Sequence, residues 1–397
     1  MADEARARIR EGTAAEVLLA FLPLGFTSFG GPVAHLGFFR TAFVERRRWL
    51  TDEAYADLVA LCQFMPGPAS SQVGMAIGLR RAGLSGLFAA WTAFTLPSAI
   101  ALAAFGLLLG TVGVAEGAGW LLGLKAAAVA VVAHALLGMA GSLAATRERA
   151  TIAAAATAAM LLAPDPSVAM LLVIAAGALA GLLLRDVAPA EPAAHLPAPV
   201  SRTVGVAALV LFLVFLFGLP LAAHLAPPLD LLDRAYRAGA LVFGGGHVVL
   251  PLLEGEFAGM VDESAFLAGY GAAQAVPGPL FTFAAFLGAV AEPFGGPAGA
   301  AVALVGIFLP SLFLVLGVMP FWEDLRRAAL ARRMLAGVNA AVVGLLAAAF
   351  HDPVFTRGVG SAEALVLAIA AFVALRQWAV SPWIVVILSG AAGWALL

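Results

Sequence analysis

Phe29-Gly30-Gly31-Pro32, followed after Gln63 by Pro66-Gly67-Pro68, breaks two apolar segments where a membrane helix would normally run uninterrupted. Glycine loosens the backbone and proline removes a helical donor, so each cluster predicts a helix end inside hydrophobic sequence. The pair returns in the second half. Phe243-Gly244-Gly245-Gly246 answers the first cluster, and Gln274-Ala275-Val276-Pro277-Gly278-Pro279 answers Gln63-Phe64-Met65-Pro66-Gly67-Pro68. Interrupted apolar segments at corresponding positions of two halves point to a transporter binding site.

The composition around these breaks is that of a membrane protein. Hydrophobic residues make up 62% of the 397 and charged residues 12%, against roughly one quarter charged in soluble domains. Many apolar runs are long enough to cross about 30 Å of hydrocarbon at 1.5 Å per residue, which predicts an all-α polytopic membrane protein. Arg6, Arg8 and Arg10 precede the first run without a cleavage-type apolar core, and read as a cytoplasmic leader. The single cysteine, Cys62, excludes an intrachain disulfide and reads as a packing residue.

Apolar segments fall at about 14–39, 54–79, 84–111, 117–144, 150–163 and 167–184. A Pro- and Ala-rich stretch, 187–201, leads to another at about 203–226, and the pattern restarts at about 235–253, 264–291, 297–320, 331–350, 362–375 and 381–397. Six segments, one, and six more bring the second half into the membrane from the opposite face. The expected architecture is therefore two inverted-topology repeats with broken or re-entrant helices, joined by a single connecting transmembrane helix. Its boundaries are an N-terminal repeat over 1–186, a linker plus connecting helix over 187–230, and an inverted C-terminal repeat over 231–397. Further matches sit at offsets of 210 to 214 residues: Leu50-Thr51-Asp52-Glu53-Ala54 with Met260-Val261-Asp262-Glu263-Ser264, Leu96-Pro97-Ser98 with Leu309-Pro310-Ser311, and Gly123-Leu124-Lys125 with Gly337-Val338-Asn339.

Loop charge bears on how the segments cross. Arginines at 6, 8 and 10, at 40 and 46 to 48, and at 80 and 81 flank the first two apolar segments on every side, and the positive-inside rule wants all three groups in the cytoplasm. Re-entrant hairpins turning at Gly30-Gly31-Pro32 and Pro66-Gly67-Pro68 satisfy it. In that arrangement Arg234, Arg237 and Arg357 fall on the outer side, against the rule, and thirteen simple crossings form the competing arrangement.

The run Gly25-Phe26-Thr27-Ser28-Phe29-Gly30-Gly31-Pro32, then Arg47-Arg48-Trp49-Leu50-Thr51, then Gln63-Phe64-Met65-Pro66-Gly67-Pro68, with Phe94-Thr95-Leu96-Pro97-Ser98 behind it, resembles the chromate ion transporter family, in its long-chain, two-domain form. The resemblance covers nearly the whole chain and is tighter in the first half. It implies export of chromate, a tetrahedral dianion shaped like sulfate, across the bacterial inner membrane, with chromate resistance as the outcome. Its partners are then a chromate or sulfate-like oxyanion and the lipid bilayer; no nucleic acid, metal or cofactor is expected, and a homodimer is left open.

A dianion in a low dielectric needs compensating charge and donors. Helix N-termini opened at glycine breaks supply unpaired N–H groups at the positive end of a dipole. The expected backbone donors are Gly30, Gly31, Gly67, Gly244, Gly245, Gly246 and Gly278, with packing kinks as the alternative. Lys125, the one lysine, lies about eight residues inside its segment and faces Asn339 at the matched position of the other half, so both are expected at a central cavity; snorkelling to the headgroups is the alternative for Lys125. Gln63 and Gln274 each precede a Pro-Gly-Pro-type turn by three positions, and Ser28, Ser70, Ser71, Gln72 and Thr282 flank the breaks with further donors. Because a free histidine titrates near neutrality, His35, His134 and His247 are candidate proton relays, with packing as the alternative.

Other classes fit less well. No Walker-type phosphate loop is present, and neither a Ser/His/Asp set, a carboxylate pair nor a HExxH pair supports an intramembrane enzyme. A passive anion channel could be built from the same half-helix ends, and a sulfate or related oxyanion carrier from the same donors.

Overall fold

The computed structural model describes residues 12–112, 118–164, 166–185, 199–243 and 249–397. The chain is an all-α multi-pass membrane protein. Among the described residues five helical stretches are long and apolar enough to cross a membrane: Ala69–Leu109, Gly119–Leu143, Arg202–Leu225, Gly296–Arg327 and Ala329–Gly358.

The first two apolar segments are not continuous helices. Helix α1 (Ala14–Thr27) starts where the Thr13 hydroxyl accepts the Glu16 N–H at 3.2 Å, and it ends before Ser28. The chain then passes through Gly30 at φ 101° and Gly31 at φ 76° into α2 (Gly31–Arg40). Helix α3 (Asp52–Phe64) gives way to extended backbone at Met65 and a left-handed Gly67 at φ 115°, after which α4 (Ala69–Val112) begins. Helix α4 is itself two helices, because Ala82 and Gly83 leave helical geometry. Next come α5 (Gly119–Leu143), α6 (Arg147–Leu162) and α7 (Pro166–Gly181).

Helix α8 (Arg202–Ala222) has only Gly205 and Ala208 buried, and Val210, Leu213, Val214 and Phe217 face outward. An apolar helix this exposed has lipid as its solvent.

The second half repeats the local pattern. Helix α9 (Pro227–Leu241) precedes the glycine cluster, of which residues 244–248 lie outside the described residues, and α10 (Val249–Phe257) follows. Helix α11 (Glu263–Ala275) ends at an extended Val276 and a left-handed Gly278 at φ 93°, then a short 3-10 turn leads into α12 (Phe283–Val290). Helices α13 (Gly296–Val318), α14 (Trp322–Arg327), α15 (Ala329–Ala349), α16 (Ala362–Arg376) and α17 (Pro382–Leu396) complete the chain. Caps stand at matched places: Thr51 and Asp262 each accept the N–H three residues on, as do Thr146 and Ser361.

The halves are interlocked. Helix α5 packs along α16 and α17 from the other end of the chain, and α15 packs along α6 and α7. The fit depends on glycine: a Cβ at Gly123 would lie 2.1 Å from the Ser389 carbonyl oxygen, and one at Gly337 2.1 Å from that of Gly177. Arg234, Arg237 and Arg357 each meet a carboxylate. Arg234 bonds Asp230 at 2.9 Å, Arg237 reaches Asp233 at 3.1 Å and Glu256 at 2.8 Å, and Arg357 lies 2.9 Å from Glu263.

Candidate functional site

Two main-chain hydrogen bonds join the breaks of one half to those of the other. Gly67 donates its N–H to the Val242 carbonyl at 2.6 Å, and Gly278 donates to the Ser28 carbonyl at 2.9 Å. In each case the glycine of a proline-glycine turn caps the carbonyl just ahead of the other half's glycine cluster. Only glycine suits these positions. Both have positive φ, and a Cβ at Gly67 would fall 2.7 Å from Ser311 Oγ while one at Gly278 would fall 2.9 Å from Ser98 Oγ.

Side chains tighten the centre. His35 Nε2 lies 3.1 Å from the Ser28 carbonyl and Nδ1 lies 3.3 Å from Ser70 Oγ. A carbonyl only accepts, so Nε2 carries the proton and Nδ1 of the neutral ring accepts from the Ser70 hydroxyl. His35 thus ties the first break to the start of α4. Gln72 Nε2 donates to the Pro66 carbonyl at 2.6 Å and to Ser311 Oγ at 3.3 Å, fixing which end of the amide faces the turn. Aromatic rings wall this region: Phe94 lies edge-on to His35 at 5.3 Å and to Phe39 at 5.0 Å.

Several buried polar atoms here have no hydrogen-bond partner among the described residues: Ser28 Oγ, Ser71 Oγ, Gln72 Oε1, Thr95 Oγ1 and Gln274 Nε2. Ser28, Gln72 and Thr95 are wholly buried, and Ser71 is 3% exposed. Each such group carries a desolvation cost of about 1–3 kcal/mol unless something fills its hydrogen bond. A polar guest that accepts from the hydroxyls and the amide would remove that cost at most of them.

The residues expected from sequence are placed unequally. Ser28, Ser70 and Gly278 come together through the bonds above, Gly67 bonds to Val242, and Ser71 is buried beside Ser70 in the chain. Gly30 is exposed and Gly31 half-buried, so Ser28 is the buried residue of the first break. Gln63 is exposed on α3, while its counterpart Gln274 is half-buried. The Thr282 hydroxyl is bonded back to the Pro279 carbonyl at 2.8 Å. Gly244, Gly245, Gly246 and His247 lie outside the described residues.

Lys125 is buried on α5 and donates to Ser264 Oγ at 2.5 Å, in the first turn of α11. The turn at Gly278 follows the far end of that helix, roughly 16 Å away at 1.5 Å per residue. Asn339 lies half-buried on α15 with its Oδ1 unpartnered among the described residues. Arg81, one of the arginines flanking the second apolar segment, pairs with Glu16 at 3.0 Å.

Some site residues were missed. Ser98 and Ser311 belong to a motif shared by the halves and Thr95 to the run that carries the family resemblance, and a hydroxyl within three residues of a helix proline is the signal they offer. Nothing local pointed to Asp57, which accepts from Trp322 Nε1 at 2.9 Å across the two halves.

Broken helices bonded to one another beside buried polar atoms, inside an apolar helical bundle, define a polytopic membrane protein. The chain belongs to the chromate transporter family: the model of that family, described as "Chromate transporter", matches residues 15–182 and 229–394. It is 30% identical over 359 residues to the chromate transport protein of Pseudomonas aeruginosa, covering 85% of this chain and 80% of that one. An uncharacterized transporter of Methanocaldococcus jannaschii is 26% identical over 346 residues, 85% of this chain and 83% of its own. An uncharacterized transporter of Bacillus subtilis is 30% identical over 174 residues, which is 42% of this chain but 86% of the relative. No solved structure matches the chain.

Proposed function

We propose that this protein is a secondary active exporter of chromate in the bacterial inner membrane, conferring chromate resistance, with its N-terminus in the cytoplasm. The observation that carries the reading is the reciprocal pair of hydrogen bonds, Gly67 N–H to the Val242 carbonyl and Gly278 N–H to the Ser28 carbonyl. Each bond ties an interrupted segment of one half to an interrupted segment of the other, which supports a substrate site shared by two inverted repeats. The repeats are 1–186 and 231–397, joined by 187–230, in which α8 is the connecting crossing. Chromate as the substrate is supported by the family and by the printed names of relatives such as the Pseudomonas protein.

In this mechanism the oxyanion sits beside Ser28, Ser71 and the N-terminal turn of α4. Hydroxyl and main-chain donors stand in for its hydration shell, and the half-helix dipole offsets part of its charge. Because each turn hangs on the other repeat's break, a rocking motion of one repeat releases the anion on the far side. A dianion leaving the cell runs with the inside-negative potential, a gain of about 2.3 kcal/mol per charge per 100 mV.

The test is efflux of labelled chromate from proteoliposomes with the potential clamped at zero and a proton gradient imposed. Uphill movement is the expected result; strictly downhill movement would make the protein a channel. Sulfate competing as well as chromate would make it a general oxyanion carrier.

A further inference from the structure

The unpartnered buried hydroxyls are not shared between the repeats. Ser28, Ser71 and Thr95 all belong to the first repeat, and each is nine-tenths or more buried with its hydroxyl unpartnered among the described residues. At the offsets that relate the repeats, their counterparts are Val242, Thr282 and Phe308. Val242 and Phe308 are buried and apolar, and the Thr282 hydroxyl is spent on the Pro279 carbonyl.

Thr95 lies on the same helix face as Ser98, one turn apart, and Ser98 Oγ donates to the Thr95 carbonyl at 3.2 Å. A Cβ at Gly278 would come within 2.9 Å of Ser98 Oγ and 3.1 Å of the Phe94 carbonyl, while the Gly278 N–H itself holds the Ser28 carbonyl. Gly278 of the second repeat's turn therefore stands between the Ser28 carbonyl and the stretch of α4 that carries Thr95 and Ser98. His35 links Ser28 to Ser70, next to Ser71.

We propose that the protein holds a single tetrahedral oxyanion, bound by the hydroxyls of Ser28, Ser71 and Thr95 of the first repeat, with the second repeat closing the site by its backbone at Gly278. The proposal rests on the oxyanion-transport reading and adds what that reading leaves open: one bound anion, with side-chain ligands from one repeat. Sequence symmetry alone would have placed two equivalent half-sites. Gln72 is a positioning residue, holding the first turn through Pro66 and Ser311.

Equilibrium binding of radiolabelled chromate, with sulfate as competitor, to the purified full-length protein tests it. The wild type should bind one anion per chain. Thr95→Val keeps the shape and removes the hydroxyl, so it should weaken binding at least about tenfold for the whole bound population. Thr95→Ser should restore most of the affinity. The anion-free Thr95→Val protein should melt no earlier than wild type, because replacing an unpartnered buried hydroxyl by a methyl is not destabilising. A purely structural role predicts the reverse, a lower melting temperature with unchanged affinity. Two anions per chain, or half of the capacity retained at wild-type affinity in Thr95→Val, would overturn the single one-sided site while leaving oxyanion transport intact. A folded wild type that binds neither chromate nor sulfate would remove the oxyanion reading itself.

Discussion

Gly67 and Gly278 meet two requirements at once: a left-handed backbone, and room for a serine hydroxyl of the opposite repeat. A left-handed conformation costs a substituted residue about 1–2 kcal/mol, and the added methyl collides with Ser311 or Ser98. Gly67→Ala and Gly278→Ala should each lower the melting temperature and reduce chromate efflux by at least about tenfold, because the turn must shift and drop its cross-repeat bond. Efflux at the wild-type level from either variant would show that the turns are packing kinks. Lys125 calls for a different expectation. Its ammonium bonds Ser264 a helix length from the turn, so Lys125→Ala should stop transport by loosening α5 from α11. Wild-type efflux from a folded, inserted Lys125→Ala protein would remove Lys125 from the transport cycle.

At the scale of elements, α3 and α14 are joined between the repeats. Trp322 Nε1 donates to Asp57, Arg326 lies 4.0 Å from the same carboxylate, and Phe64 packs edge-on to the Trp322 ring at 5.7 Å. Helix α3 runs straight into the Pro66-Gly67-Pro68 turn, so this contact restrains the segment that carries the turn. The chain's one cysteine, Cys62, is fully buried on α3 and reports its movement. Trp322→Phe keeps the ring contact but loses the hydrogen bond, and should speed maleimide labelling of Cys62 several-fold. Unchanged labelling would mean that packing alone holds α3. The element breaks themselves were legible in the sequence: helices end at Thr27, Phe64, Leu241 and Ala275, next to the clusters that glycine and proline mark. The kink at Ala82-Gly83 inside α4 was less so, because a lone glycine in an apolar run is common in membrane helices.

Across the whole molecule, α5 depends on α16 and α17, and α15 on α6 and α7, so neither half has its own closed core. Residues 1–230 and 231–397 expressed separately should each fail to give a monodisperse protein, whereas co-expressed they should copurify. A separately stable half would contradict the interlock. Gly337→Val, which forces a side chain into the Gly177 carbonyl, should cost about 1–3 kcal/mol of stability as an overpacked contact, read as a lower melting temperature.

The sequence by itself determined the membrane setting, the helical class, the positions of the breaks and the recurrence of motifs between the halves. These follow from hydropathy and from the backbone preferences of glycine and proline, which act over a few residues. The tertiary structure alone decided that Gly67 meets Val242 and Gly278 meets Ser28, that the hydroxyls of Ser28 and Thr95 are both buried, and that the Lys125 ammonium bonds Ser264, a helix length from the Gly278 turn. Those facts depend on contacts between residues far apart in the chain, where hydrogen-bond geometry within a few ångströms settles which donor meets which acceptor, and no local pattern encodes that choice.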